Sequence, residues 1–563
     1  MLAVARSGIF LHTSRQAALF FLCHNMFNAS LISFLRRPAI EQWLVPGFFV
    51  LVFAIGVFSF RQFGVATDEG TMDSLGRDTY NYVFHGAEWP TNPAWRYHGT
   101  AVELPLQIAQ NIAAPADDQR TTYKRVFTQH FFTFLLSFAG LVTLYFLARK
   151  HFGSREWALL TCVLLFLSPR FFAQSFYNSR DIPELVFFTL SMLTLLWLSE
   201  RRTYKSAVIH GVATALALAV RMPALIILVL TTLYLGLDAL EQWLAEKKTG
   251  MQRSAILFAV YLLTVAVATT IFWPFLWTHT ATHFLEAYRF MSSLGANMSF
   301  MGHTYTSTPW QYVPVWIFLT VPPLYSVFFL AGIVSLSVSG MRHGKNMLPA
   351  RKNELLFAAW FFLPIISIVV TKAGIYNEWR HVLFIYPAFL LMAVGGIRHL
   401  SAWIEKHHAY KTAEVMSIAL ALQLLLTGFW MIRNHPLEFA YFSLPKSMVE
   451  TFTPGRVDYW GLSYREAVKY LMDHNTGIMS VYSPENIAYQ NAYNIYPDSL
   501  KRMMRVPTAD EAMFVVVSSP EDAKGLTLVR GITVDGHFLS GIYQGPVKEV
   551  LVDRAAGSVE FRR

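Results

Sequence analysis

Along these 563 residues, apolar runs long enough to cross a lipid bilayer recur, each followed by a short polar link. A bilayer core about 30 Å deep calls for roughly 20 mostly apolar residues per helix. Runs of that length read as membrane-crossing helices. They lie near 43–60, 127–148, 157–173, 182–199, 206–220, 223–240, 254–276, 313–337, 355–371, 382–397 and 413–432. About 11 transmembrane helices are therefore predicted. Only 15% of the residues are charged, against roughly 25% in soluble domains. That shortage excludes a disordered chain and an ordinary cytosolic enzyme.

The net charge of +10 invites a nucleic-acid reading, but its distribution argues otherwise. Basic residues gather in alternate links: Arg36 and Arg37; Arg149, Lys150 and Arg155; Arg201, Arg202 and Lys205; Lys247, Lys248 and Arg253. Arg342, Lys345, Arg351 and Lys352 continue the series, followed by Arg398, Lys406 and Lys411. The positive-inside rule makes these links cytoplasmic. The charge excess is used for topology, and no nucleic-acid partner is expected. Cys23 and Cys162 both lie in apolar stretches and cannot form a metal cluster alone.

An odd number of spans from a cytoplasmic start leaves residues 433–563 outside the cytoplasm. Their composition is that of a soluble domain. Ser463 and Glu466 have capping-box spacing for a helix through Tyr470. Met513–Val517 and Gly531–Tyr543 read as strands, giving a small α/β domain. Residues 41–432 form the multi-pass, all-α domain, with a long first outer loop at 61–126. Residues 1–40 read either as an amphipathic interfacial helix or as an unneeded extension.

Polar residues cluster on the outer side. The first cluster opens with Asp68 and Glu69, just after the first span. Adjacent carboxylates at a membrane edge are costly to bury and suit a proton acceptor or a cation ligand; a solvated helix end carries the same residues. The second outer loop, Ser168–Pro183, holds Arg180 and Asp181, with Pro183 placed for the first turn of a helix. Asp181 there either complements the helix dipole or serves the site. Arg221 sits in an otherwise apolar hairpin, where it either snorkels or binds phosphate. The fourth cluster, Lys372–His381, offers Lys372, Arg380 and His381 as substrate-binding groups. A guanidinium takes two phosphate oxygens at once, so Arg380 is the leading candidate for an anionic headgroup. No nucleotide-binding glycine loop, HExxH or Cys/His zinc spacing occurs, so any transferable group comes from a donor already in the membrane.

The order of these segments resembles the GT-C glycosyltransferases. It is most similar to the polyprenyl-phosphate-sugar-dependent enzymes of glycosyltransferase family 39, which include protein O-mannosyltransferases and bacterial lipid A aminoarabinose transferases. The resemblance rests on Asp68-Glu69 before a long loop, Phe171–Pro183, Asn377–Pro387, His435–Phe442 and Asp458–Ser463, and covers about 40–470. It implies an inverting transferase in a bacterial inner (plasma) membrane, with active site and C-terminal domain facing the periplasm. The donor it implies is a polyprenyl-phosphate-linked sugar, with sugar and acceptor undefined. It also implies Asp68 as general base, several ångströms from arginines that hold the donor phosphate, with Glu69 supporting Asp68 or binding acceptor. A divalent cation is possible in such families, with Asp68 and Glu69 as its ligands here. A lipid-linked glycan polymerase or ligase, and a non-enzymatic transporter, are the alternatives.

The alternation of basic links is directly testable. Reporter fusions after residues 200, 250, 345 and 405 are expected to report cytoplasm and one at 480 the outside. A cytoplasmic tail would reverse every outer loop and overturn the site assignment.

Overall fold

The computed structural model describes residues 38–563 except 116–121, 245–247, 294–297, 344–350, 408–409, 453–456, 497–501 and 554–557. The expectation for residues 1–40 therefore lies almost wholly outside the described residues. Contacts divide the chain into Met1–Val57 and Phe58–Arg563. In the first unit the described part is helical, beginning at Pro38.

All eleven apolar runs are helical, but fewer than eleven are uninterrupted spans. Among the described residues nine helices are long and apolar enough to cross a membrane, or ten if a bent pair is one span. That pair, Arg155–Phe166 and Pro169–Tyr177, bends by 72°. Pro169, which has no N–H to donate, opens the second half. The run near 206–220 is the 15-residue helix Tyr204–Leu218, which stops short before the 3₁₀ turn Met222–Ala224. The run near 313–337 is divided into Tyr312–Thr320 and Pro323–His343, with Pro322 and Pro323 at the break. Proline stands at two of these three breaks, whereas Pro46 and Pro364 lie inside unbroken helices.

Two devices join the helices. At Gly396 a β-carbon would stand 2.1 Å from the Phe328 carbonyl, so the absence of a side chain lets Tyr386–Lys406 lie directly on Pro323–His343. His210, fully buried, sits 3.0 Å from the Thr194 hydroxyl and 2.9 Å from that of Thr231, with its ring stacked on Tyr261. One polar cluster thereby ties four helices where lipid offers no hydrogen bonds.

The strands are few. β1 (Met298–Phe300) and β2 (His303–Tyr305) form a short hairpin. The C-terminal part holds β3 (Met479–Tyr482), β4 (Met503–Arg505), β5 (Phe514–Val517), β6 (Thr527–Val534) and β7 (His537–Gln544) in a mixed sheet ordered β4-β3-β5-β7-β6. β8 (Glu549–Asp553) and β9 (Ser558–Arg562) pair separately. Helices Tyr464–His474 and Asn486–Asn494 supply Val468, Leu471, Ala488 and Tyr489 to a core shared with Val481, Val516 and Ile542.

Two local expectations are corrected. Gly531–Tyr543 is a hairpin, turned at Asp535-Gly536 with φ of 48° and 80°, the positive pair that a tight hairpin turn needs. The capping box at Ser463 does not form. The Ser463 hydroxyl instead donates to Ser540 across to the sheet, and Asp458 accepts from the Leu462 and Ser463 N–H groups at 3.1 and 2.8 Å.

Candidate active site

Four segments distant in sequence converge on one cavity. Asp68 occupies the N-cap position of helix Glu69–His85, yet its carboxylate makes no cap hydrogen bond. It is half-exposed and accepts from Arg380 Nη1 at 2.8 Å. Glu69 turns the other way. Buried at 4% exposure, it accepts from the Ala66 N–H at 2.7 Å and lies 3.1 Å from His130 Nε2, whose Nδ1 faces the Phe60 carbonyl. Neighbours in sequence therefore have different tasks. Glu69 fixes the turn, and Asp68 faces open space.

The second segment is the start of helix Asp181–Arg201, with Pro183 in its first turn. Asn178 holds Asp181 from two sides, its Nδ2 donating to Oδ2 and its Oδ1 accepting from the Asp181 N–H. Asp181 also pairs with Arg221, which lies 3.5 Å from Glu184. The Arg180 guanidinium meets Glu103 only at 3.9 Å, and it also contacts the Met72 sulfur and the Val220 carbonyl. Glu103 is 1% exposed, and among the described residues neither of its carboxylate oxygens has a hydrogen-bond partner. Burial raises its pKa against the opposing pull of Arg180. Burial likewise lowers the pKa of Arg180, opposed by Glu103 and Glu184.

The third and fourth segments bring Arg380, His381, Tyr376 and Trp460. The Arg380 guanidinium lies 4.6 Å from the Trp460 ring centroid and 5.4 Å from that of Tyr376. Behind it Arg170 pairs with Glu378 and donates to the Tyr441 carbonyl. Burial raises the pKa of Glu378, which Arg170 counters.

The cavity measures about 190 Å³ and is lined by Asp68, Glu69, Arg180, Asp181, Arg221, Arg380 and His381, together with His98 and Trp460. Of the sequence-chosen residues only Lys372 lies elsewhere, exposed at the end of helix Lys352–Thr371. Asp68 was expected to stand several ångströms from the arginines. It is instead in direct ion pair with Arg380, and Arg221 is paired with Asp181, because cations brought together at a membrane-embedded end need counter-charges on folding. Among the described residues no three His, Cys, Asp or Glu side chains are grouped to hold a metal ion.

Sequence reasoning missed Glu103, Glu184 and Trp460. Glu184 follows Asp181 by three positions on one helix face, a spacing that could have flagged it. Glu103 lies in the long loop with no local signal, and Trp460 falls within the Asp458–Ser463 stretch, where nothing local sets it apart.

A match to known proteins now bears on this geometry. Residues 104–284, about a third of the chain, make the match, and Glu103 falls one residue outside it. The matched sequence model is that of the Dolichyl-phosphate-mannose-protein mannosyltransferase family. No curated protein matches the chain by sequence search. Among solved structures, the apo oligosaccharyltransferase of Archaeoglobus fulgidus is 12% identical, with a TM-score of 0.48, covering 85% of this chain and 70% of its own. ArnT from Cupriavidus metallidurans bound to undecaprenyl phosphate is 13% identical, with a TM-score of 0.44, covering 88% of this chain and 98% of its own.

The divided roles of the two neighbouring acids predict a stability contrast. Replacing Glu69 by Ala leaves His130 and the Ala66 N–H buried without their partner, at a cost of about 2–3 kcal/mol. Asp68→Asn should cost less, because the half-exposed side chain keeps an amide oxygen that can accept from Arg380 although the counter-charge is lost. Thermal unfolding in detergent checks this, and equal shifts would show that the two acids are not so divided.

Proposed function

We propose that the cavity transfers a sugar from a polyprenyl-phosphate donor to a hydroxyl acceptor outside the cytoplasm of a bacterial cell, with inversion at the anomeric carbon. The observation that carries this reading is one half-exposed carboxylate, Asp68, in a cavity with three arginines from separate segments. The donor class also agrees with the name of the matched family, and the periplasmic orientation with the alternation of basic links.

In this reading Asp68 takes the proton from the acceptor hydroxyl, whose oxygen attacks the anomeric carbon. The bond from that carbon to the phosphate oxygen breaks, and its electron pair leaves with the lipid phosphate. Fixed guanidinium groups offset the charge growing there without reorganising at the moment of reaction. Arg180 is the least committed of the three, since its carboxylate contact is the longest, and it receives the phosphate first. Arg380 is shared between Asp68 and the phosphate. A donor drawing on Arg380 loosens its hold on Asp68 and frees the carboxylate oxygen for the acceptor hydroxyl. Glu69 acts through the turn that presents Asp68.

Lipid-linked sugars extracted from a deletion strain provide the test. The donor should accumulate in that strain and in one complemented with Asp68→Asn, and return to normal with the wild-type chain. Full activity of Asp68→Asn, with normal membrane insertion, would end this mechanism. Arg180→Gln should weaken the binding of undecaprenyl phosphate, used as probe, by roughly 10- to 100-fold, the loss of about 1.5–3 kcal/mol in one charge-assisted bond.

A further inference from the structure

The short turn that presents Asp68, residues 63–68, is held from the far end of the chain. The Thr67 N–H donates to the Trp460 carbonyl at 3.0 Å. Arg465 donates through Nη1 to the Phe63 carbonyl, and Asn491 donates through Nδ2 to the Ala66 carbonyl at 3.2 Å. Gly64 lies so close to this segment that a β-carbon there would stand 2.4 Å from the Leu462 carbonyl. Glu69 holds the Ala66 N–H from the opposite side. Backbone groups of residues 63, 66 and 67 are thus bound by groups more than 390 positions away in sequence.

These contacts come from the part of the chain that builds the mixed sheet. Arg465 is in helix Tyr464–His474 and Asn491 in helix Asn486–Asn494, and both helices pack on that sheet. Asp458 caps the Leu462 and Ser463 amides and so fixes the stretch carrying Trp460. The same stretch sets the Trp460 ring over Arg380, the partner of Asp68. One stretch of the chain therefore contacts both the turn that carries the acid and the cation paired with it.

We propose that Arg465 and Asn491 are positioning residues through which the C-terminal α/β part holds the Asp68 turn in reactive geometry. This rests on the reading of Asp68 as the base. Neither residue lines the cavity or makes contact with the reacting groups. Their effect should therefore fall on the rate of the chemical step and spare donor binding. Displacement of a catalytic group by about 1 Å costs up to roughly 100-fold in rate.

The test uses the full chain in lipid nanodiscs, with Arg465→Ala, Arg465→Lys and Asn491→Ala. Hydrogen exchange of the peptide covering residues 61–68 should quicken in both alanine variants, with exchange in the membrane helices unchanged, and Arg465→Lys should restore much of the protection. Turnover of the donor pool extracted from the deletion strain should fall about 10- to 100-fold in the alanine variants, while undecaprenyl phosphate binds as to wild type. Unchanged exchange at 61–68 in both alanine variants overturns the proposal whatever the activity. Faster exchange with full turnover overturns it too, because the turn would then need no holding. The Asp68 reading fails separately, if Asp68→Asn itself turns over the donor.

Discussion

Taking a charge out of water at the end of a membrane-embedded bundle is costly, and this structure meets that cost by pairing across segments. Arg380 with Asp68, Arg221 with Asp181, and Arg170 with Glu378 each join groups far apart in the chain. Such pairs add little net stability over a well-packed apolar core, but each excludes arrangements that would strand one partner. They define which helix ends must meet. The cavity is what remains between those ends, so its chemistry and its location have one cause.

The site is wider than the matched sequence. Residues 104–284 contain Arg180, Asp181, Glu184 and Arg221, whereas Asp68, Arg380 and Trp460 lie outside. The matched part supplies two of the three cavity arginines and the carboxylates that neutralise Arg221. The acid facing open space and the aromatic-flanked cation come from the remainder of the chain.

Much of the fold was legible because bilayer thickness imposes a length on every apolar run, and all the runs proved helical. Continuity was harder to read. Pro169 and the Pro322-Pro323 pair interrupt runs whose mean hydropathy gives no warning, and the helix ending at Leu218 is simply short. In the site, Asp68, Arg180, Asp181, Arg221 and Arg380 stood out as charges beside apolar sequence, and they share the cavity. What sequence could not give was pairing. Nothing local in the string shows that Glu69 turns to His130 while its neighbour turns to Arg380, or that Ser463 reaches Ser540 in place of its own helix. Those choices are fixed by partners 61, 312 and 77 positions away.

The Arg380 guanidinium, with Trp460 and Tyr376 against it and Asp68 at one nitrogen, has few rotamers left. A long side chain that closes on a ligand from solution forfeits about 0.5–1.5 kcal/mol of conformational freedom on doing so. Here that entropy was lost during folding, before any ligand arrived. An anion entering the cavity meets a cation already oriented and does not bear that ordering cost again, even though it shares Arg380 with Asp68.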